Sequence, residues 1–264
     1  MRSQCGSTEG AQARAGAVVS TSAGIASGGW LAQGAPATEV ARSLEGANSG
    51  MHPDLSRRGY RFAKRTFDIA VSGAAIIVLL IPGAVLCAAI CVKSPGASPL
   101  YGQLRVGRVN PDGTYRLFRM WKFRSMVPRA DEMLKELQDR NEADGPLFKI
   151  RDDPRVISGI GTFIRRHSID ELPQLLNVFL GDMSLIGPRP GLPSEVVQYD
   201  ARAMRRLTIK PGCGGTWQAG ERSDSTFDGM VDADLDYIEH RSVACDLRLI
   251  LGTVRSMFSG KGAY

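Results

Sequence analysis

The hydrophobic pattern is dominated by one stretch, residues 69–92, in which 24 successive positions carry no charge. A helix of that length is roughly 36 Å long, enough to cross about 30 Å of hydrocarbon, so the pattern predicts a membrane helix. Pro82 lies at its middle and removes a backbone donor, which predicts a kink. Both flanks are strongly basic, and no orientation of a spanning helix puts both on the cytoplasmic side. The residues alone leave two alternatives open, a kinked spanning helix and a helix that bends at Pro82 and returns to the same face.

The remaining pattern predicts a mixed α+β domain that is mostly helical. The sequence Asn-Pro-Asp-Gly at 110–113, between apolar positions, predicts a short β-hairpin. Helical patterns cover four further segments: 130–142, the residues after Ser168, 194–207 and 228–258, the last with a break near Arg241.

Composition divides the chain into three parts. The first fifty residues hold 11 Ala, 9 Gly and 7 Ser, and they predict a disordered tail over 1–55. That tail lacks the charged start and apolar run of a secretory signal, so we expect no leader in it. The basic flank and the apolar segment make up 56–95, and a folded domain is expected over 96–264. The five cysteines are too few and too scattered for a disulfide framework, and none has zinc spacing, so a reducing compartment is expected.

The net charge of +6 is concentrated in two places. Residues 57–65 hold five basic side chains and no acid, and residues 101–126 hold six basic side chains against one aspartate. Such clustering predicts an anionic partner, which is a phosphate, a nucleic acid or a lipid headgroup. A non-catalytic adaptor that binds anionic lipid would need no more than this. Nucleic acid is the weaker alternative, because the apolar segment is too long for a typical soluble domain.

The densest candidate chemistry lies at Ser168-Ile169-Asp170-Glu171. This spacing fits a capping box, in which Ser168 caps a helix and Glu171 reaches back to it. The same geometry would place Asp170 in a first helical turn, where an anion is stabilised, with Arg165 nearby to hold phosphate. Carboxylates combined with phosphate oxygens suit Mg²⁺, and an aspartate can attack phosphorus. The spacing is compatible with a plain cap and with a catalytic pair.

Two further basic residues are candidates for phosphate binding. Arg189 lies between Pro188 and Pro190, which lock the backbone and favour a fixed, bidentate guanidinium. An ordinary proline-rich loop with a solvated arginine is the alternative. Lys122 could neutralise a phosphate or contact a lipid headgroup.

Several sequence motifs together resemble the bacterial sugar transferases, the small monotopic phosphoglycosyl transferases that initiate lipid-linked glycan synthesis. The motifs are Lys64-Arg65-Thr66-Phe67-Asp68, Arg105-Val106-Gly107-Arg108, Lys122-Phe123-Arg124-Ser125-Met126, Asp153-Pro154-Arg155, Ser168-Ile169-Asp170-Glu171-Leu172-Pro173-Gln174-Leu175, Gly187-Pro188-Arg189-Pro190 and Lys210-Pro211-Gly212. Their order and spacing extend over residues 60–264. The single membrane segment and the Gly-Ala-Tyr ending are most similar to exopolysaccharide initiators of the ExoY type.

The resemblance implies a reaction and a location. A UDP-sugar would donate its hexose-1-phosphate, with galactose or glucose as the expected sugar, to undecaprenyl phosphate and release UMP. The resemblance also implies a monotopic protein whose re-entrant helix hairpin breaks at Pro82. A cytoplasmic catalytic domain over 96–264 would then face the inner membrane. Nucleic acid is not an expected partner, and the oligomeric state is not predicted.

The resemblance also implies roles for individual residues. Asp170 would be the nucleophile that forms a covalent phosphosugar-enzyme, and Glu171 would assist it, both organising Mg²⁺. The expected phosphate-binding and substrate-binding residues are Lys122, Arg165, Arg189 and Arg222. The late loop departs from the family pattern at Glu221 and over 213–216, which leaves the choice of donor open.

Overall fold

The charge-free stretch forms the C-terminal two-thirds of one long helix. The computed structural model describes residues 51–130, 132–142, 148, 150, 152–216 and 226–259. Helix α1 is Arg58–Lys93, and within those residues it is the one helix long and apolar enough to cross a membrane. The helix is continuous through Pro82, so the predicted hairpin break is not confirmed. Ile77 and Ile81 are each 76% exposed, as expected of a surface that contacts lipid rather than a protein core.

Helix α1 contacts the rest of the protein on both sides of its proline. In the first half, Asp68 Oδ1 accepts a hydrogen bond of 3.1 Å from the backbone N–H of Leu185. In the second half, a Cβ on Gly83 would lie 3.6 Å from the ring of Phe123, and Ile90 is fully buried. Both halves of the helix therefore pack on the same domain.

The predicted hairpin is confirmed. Strands β1 (Leu100–Val109) and β2 (Tyr115–Phe123) pair antiparallel, with a register shift between Val106 and Val109. Successive side chains of a strand point to opposite faces. Leu117 accordingly belongs to one hydrophobic cluster, with residues of the C-terminal half, and Phe118 belongs to the other.

The remaining elements are short, apart from the two C-terminal helices. In chain order they are a 3-10 helix Glu132–Arg140, α2 Ile160–Arg166, a 3-10 turn Ile169–Glu171, α3 Gln174–Leu180, β3 Ser184–Ile186, α4 Pro193–Val196, α5 Ala201–Met204, a 3-10 helix Arg205–Thr208, β4 Gly212–Gly214, α6 Phe227–His240 and α7 Val243–Ser259. The break near Arg241 is confirmed. The predicted helix over 194–207 is three short pieces, and the segment 130–142 is 3-10 rather than α-helical.

A parallel pair of strands, which the sequence did not predict, fixes the proline-rich loop. Strand β3 pairs with β4, with Ser184 opposite Gly212. Where β3 ends, Gly187 and Gly212 lie backbone to backbone, because a Cβ on Gly212 would be 2.0 Å from Gly187 N. Gly212 N in turn donates to Pro188 O at 2.9 Å. Only glycine fits at this crossing, and it holds the Pro-Arg-Pro loop in place.

The C-terminal helices hold the start of α1 through a buried polar network. Asp246 on α7 accepts from Lys64 Nζ and from the Tyr60 hydroxyl, both at 2.8 Å, and from the Tyr237 hydroxyl at 2.6 Å. Arg57 donates to backbone carbonyls at the end of α6. Part of the predicted basic flank is therefore used inside the protein. Of the predicted tail, residues 1–50 lie outside the described residues.

Candidate active site

The candidate site lies between one face of strand β2 and the helical residues 169–180, which run alongside that strand. This helical run begins at Ile169, continues through α3, and lies antiparallel to β2. At its start, Lys122 Nζ bonds Glu171 Oε1 at 2.7 Å. At its middle, the Asn177 amide accepts from and donates to the β2 backbone, at 3.0 and 2.7 Å. Beyond its end, Arg116 Nη2 bonds Asp182 Oδ1 at 2.5 Å. Because successive side chains of β2 point to opposite faces, Lys122 lies on the face next to Asp170 and Glu171, the predicted catalytic pair.

Asp170 lies in the 3-10 turn that starts this helical run. Ser168 before it adopts a left-handed conformation, with φ 54°, and its side chain makes no capping hydrogen bond. The predicted capping box is therefore not formed. Asp170 is only 8% exposed, which is unusual for a carboxylate. A residue that only capped a helix would not need to be buried in this way.

The environment of Asp170 raises the pKa of its carboxyl group toward neutral pH. The pKa of Asp170 is raised to about 6, chiefly by burial and also by the charge of Glu171, against the opposing effects of Lys122 and Arg165. At pH 7 roughly nine in ten copies of the side chain are still ionised. A poorly hydrated carboxylate that remains charged at working pH is suited to attack phosphorus.

The structure brings four of the predicted site residues together. Lys122 pairs directly with Glu171, and Arg165 lies close enough to Asp170 to affect its ionisation. Arg165, at the end of α2, also contributes to lowering the pKa of Asp153, a carboxyl group that burial alone would shift upward. The site therefore places two cations around one carboxylate pair.

Arg189 is linked to this group through Arg105, a residue that the sequence analysis gave no role and whose charge interacts with both Arg189 and Glu171. Arg105 on β1 is buried and donates to Pro190 O at 3.0 Å, one residue after Arg189. Burial and the charge of Arg189 lower the pKa of Arg105 to about 10, while Glu195 and Glu171 oppose that shift. Arg105 therefore supports the loop that carries Arg189. Its position in the Arg-Val-Gly-Arg motif was a signal that could have identified it.

The predicted Mg²⁺ ligands fit the ion only in part. Among the described residues there is no group of three or more His, Cys, Asp or Glu side chains that could hold a metal. Mg²⁺ is commonly held by one or two carboxylates together with substrate phosphates and water. Asp170 and Glu171 meet that smaller requirement, so substrate oxygens would have to supply the other ligands.

The late loop is only partly described. Arg222 and Glu221 lie outside the described residues, and so does the rest of 217–225. Cys213, in β4, lies near the site. Burial and the charge of Glu171 raise the pKa of its thiol to about 12, while Lys122 opposes that shift. Cys213 therefore stays protonated and does not offer a thiolate nucleophile beside Asp170.

Comparison with known proteins identifies the family. The family model for bacterial sugar transferases matches residues 59–260, which include every element from α1 to α7. The chain belongs to the bacterial sugar transferase family.

Individual relatives agree with this assignment. The galactosyl transferase CpsE of Streptococcus agalactiae is 43% identical over 203 residues, 76% of this chain and 43% of CpsE. The undecaprenyl-phosphate galactose phosphotransferase of Salmonella typhimurium is 39% identical over 220 residues, 80% of this chain and 44% of the relative. The exopolysaccharide production protein ExoY of Rhizobium meliloti is 35% identical over 206 residues, 76% of this chain and 88% of ExoY. The chain thus spans less than half the length of the first two relatives and most of ExoY.

Proposed function

We propose that the protein transfers hexose-1-phosphate from a UDP-sugar to undecaprenyl phosphate and releases UMP, as the first membrane step of exopolysaccharide synthesis. The named activities of the relatives support the reaction class, since one is an undecaprenyl-phosphate galactose phosphotransferase and another an exopolysaccharide production protein. The observation that carries the proposal is the buried Asp170, whose pKa is raised to about 6 between Glu171 and two cations.

In the first step an oxygen of Asp170 attacks the β-phosphorus of the donor. The bond from that phosphorus to the bridging oxygen breaks, and the oxygen leaves with its electron pair on UMP. The sugar phosphate is then held on Asp170 as an acyl phosphate. Lys122 and Arg165 assist because a carboxylate cannot approach a diphosphate closely unless positive charge offsets the repulsion between them.

In the second step a phosphate oxygen of undecaprenyl phosphate attacks the same phosphorus. The bond between that phosphorus and Asp170 breaks, which releases the lipid diphosphate sugar and regenerates the carboxylate. Arg189 precedes Pro190, whose carbonyl Arg105 holds, and its guanidinium is suited to hold a phosphate through two parallel hydrogen bonds. Asp170 and Glu171 would hold Mg²⁺ together with phosphate oxygens, where the ion supplies further charge neutralisation. Activity should therefore disappear with EDTA and return with added Mg²⁺.

Substitution of the nucleophile tests the proposal. Asp170→Asn should lower UMP release on the order of a thousandfold or more in a membrane assay with a panel of UDP-sugars and undecaprenyl phosphate. Intact mass spectrometry should detect a sugar-phosphate adduct on the wild-type protein after donor addition and none on the variant. Asp236→Asn, an exposed carboxylate beside His240, is the matched control and should retain activity. Full UMP release by Asp170→Asn would refute the nucleophile assignment.

We also propose that α1 dips into the cytoplasmic face of the membrane without crossing it. The contacts of Asp68 and Gly83 with the same domain, on either side of Pro82, support this placement. Single cysteines at Arg58 and Lys93, in a chain whose native cysteines are replaced, should both be labelled from the cytoplasmic side by a membrane-impermeant maleimide. Labelling of the two positions from opposite sides would show a spanning helix.

The adaptor alternative is disfavoured by the same structure. Part of the basic flank on which it relies is held by protein groups, since Arg57 and Lys64 bond to the C-terminal helices. The adaptor alternative also gives no reason to bury Asp170. Absence of UMP release with every UDP-sugar in the panel would instead favour the adaptor function.

A further inference from the structure

Four basic side chains meet at the end of β2 that lies away from Lys122. Arg116 lies on β2, and Arg108 lies on β1 next to Gly107, which packs against the Arg116 backbone. Arg65 comes from α1, and Lys210 comes from the residues that precede β4. We call these residues the second cationic cluster. Arg116 is six positions from Lys122 along β2, a separation of roughly 20 Å, so the cluster is distinct from the site at Asp170.

The cluster is assembled around the end of α3. Arg65 donates to the carbonyls of Val178 and Phe179, at 2.6 and 2.8 Å, and so closes the last turn of that helix. A Cβ on Gly181, whose φ is +94°, would lie 3.1 Å from Arg65 Nη2 and 3.6 Å from Lys210 Nζ. The two cations are therefore neighbours, and a residue without a side chain separates them.

Positive charge in the cluster is not balanced by the protein groups around it. Across the part of the chain that the structure describes, the side chains of Arg108 and Lys210 make no hydrogen bond or ion pair. Arg116 Nε is buried without an acceptor, although Arg116 Nη2 pairs with Asp182. Carbonyl groups satisfy the hydrogen bonds of Arg65 but do not neutralise its charge.

Two carboxylates face the cluster, Asp182 and Asp68, so four cations exceed two anions. Burial lowers the pKa of Lys210 to about 8, with a further contribution from Arg65, Arg108 and Arg116. Buried positive charge is costly unless it is paired. An added anion would relieve this cost.

The surroundings of the cluster are apolar and exposed. Arg65 lies one helical turn before Ile69, where the charge-free stretch of α1 begins. Beside Gly181, Phe179 and Leu180 are 44% and 62% exposed. A bilayer that takes up the apolar part of α1 would therefore place its headgroups next to these cations.

We propose that the second cationic cluster binds the phosphate of a membrane lipid headgroup, at a site separate from Asp170. The unpaired Arg108 and Lys210 would supply the donors, and the positive charge of Arg116 would add to their attraction for the phosphate. The exposed Phe179 and Leu180 would contact the adjoining acyl chains.

Chemical labelling of Lys210 tests the proposal. The full chain in dodecyl maltoside micelles, without phosphate, is treated with acetic anhydride at pH 8. Acetylation of Lys210 is measured by mass spectrometry relative to Lys64, a partly buried lysine already paired with Asp246. Bound phosphate should raise the pKa of Lys210 by about one unit, which lowers its free amine about fivefold at pH 8. Dioleoyl phosphatidylglycerol should therefore slow acetylation about fivefold, and dioleoylglycerol, which has the same chains and no phosphate, should not.

Two variants and one soluble ligand complete the experiment. Arg108→Gln should abolish the protection, whereas Arg205→Gln, which removes an exposed arginine paired with Glu239, should retain it. Equal protection by millimolar inorganic phosphate would overturn the lipid assignment in favour of a soluble anion. Equal protection by dioleoylglycerol would show simple coverage by acyl chains, and no protection by any addition would refute the site.

Discussion

Replacing Lys122 with methionine should move the acid limb of the pH–rate profile to higher pH. Lys122 lowers the pKa of Asp170, and it also neutralises Glu171, to which it bonds at 2.7 Å. Without the lysine, burial and the unpaired charge of Glu171 would both act to raise the pKa of Asp170. The reactive species is the carboxylate, so the variant should need more alkaline conditions to ionise its nucleophile.

The size of this shift is bounded by Coulomb's law. Two unit charges about 6 Å apart, the outer limit at which an ion usually shifts a carboxyl group, interact by roughly 3 kcal/mol at an effective dielectric constant of about 20, equivalent to about two pKa units. The Lys122 side chain is 19% exposed, and solvent weakens its interaction, so we expect a shift of about one unit. Wild-type kcat/KM should fall about tenfold per pH unit below pH 6, and that of Lys122→Met should begin to fall near pH 7.

UMP release between pH 5 and pH 9, at subsaturating donor, measures both profiles. Lys122→Arg keeps the charge, so the acid limb of its pH–rate profile should coincide with that of the wild type. Arg119→Gln removes an exposed charge on the same strand and should not move the acid limb. At pH 8.5 the activity of Lys122→Met should rise to a plateau below the wild-type value, because Asp170 is ionised there but one of the two cations that offset its repulsion by the diphosphate is missing. A uniform loss of activity with no movement of the limb would refute the electrostatic argument, because it would show that Lys122 acts only by binding phosphate.

Other substitutions test the scaffold. Asp246→Ala leaves the partly buried ammonium of Lys64 without a counter-ion and should lower the free energy of unfolding by about 3 kcal/mol, measured by denaturant titration in micelles. Gly187→Ala would place a Cβ 2.6 Å from the carbonyl oxygen of residue 210, so both thermal stability and UMP release should fall sharply. Gly59→Ala has nothing within 4 Å and should instead stabilise α1 by about 0.5 to 1 kcal/mol. Asn177→Ala removes both side-chain hydrogen bonds to the β2 backbone and should cost about 1 to 3 kcal/mol, whereas an unchanged unfolding midpoint would contradict that account.

Local sequence signals located the elements that depend on local chemistry. The turn at 110–113 specified the hairpin, and the interruption near Arg241 separated α6 from α7. The pair β3–β4 escaped prediction because each strand has only three residues and its partner lies elsewhere in the chain. Periodicity cannot indicate so short a strand, and the backbone crossing at Gly187 and Gly212 is a tertiary contact. The helix predicted over 194–207 was too long. The short helical pieces in that segment share one apolar face, so their pattern reads as a single helix.

The candidate site was predicted in its residue types and in part of its geometry. The motifs indicated Asp170 and Lys122, which the structure brings to one site. The role of Arg105 was missed, because a strand pattern does not show which neighbouring loop a buried arginine supports. The burial of Asp170 was also beyond sequence reasoning, since it depends on elements from distant parts of the chain.

The link between the two ends of the chain has a consequence for biosynthesis. Lys64 and its partner Asp246 are separated by 182 residues. At ribosomal rates of about 5 to 20 residues per second, the partner is synthesised roughly 10 to 40 seconds after the lysine. Helix α1 is therefore complete long before the partner of its lysine has been synthesised. A chain that stops before α7 would leave that charge without its partner, so the start of α1 reaches its final packing only when synthesis is nearly finished.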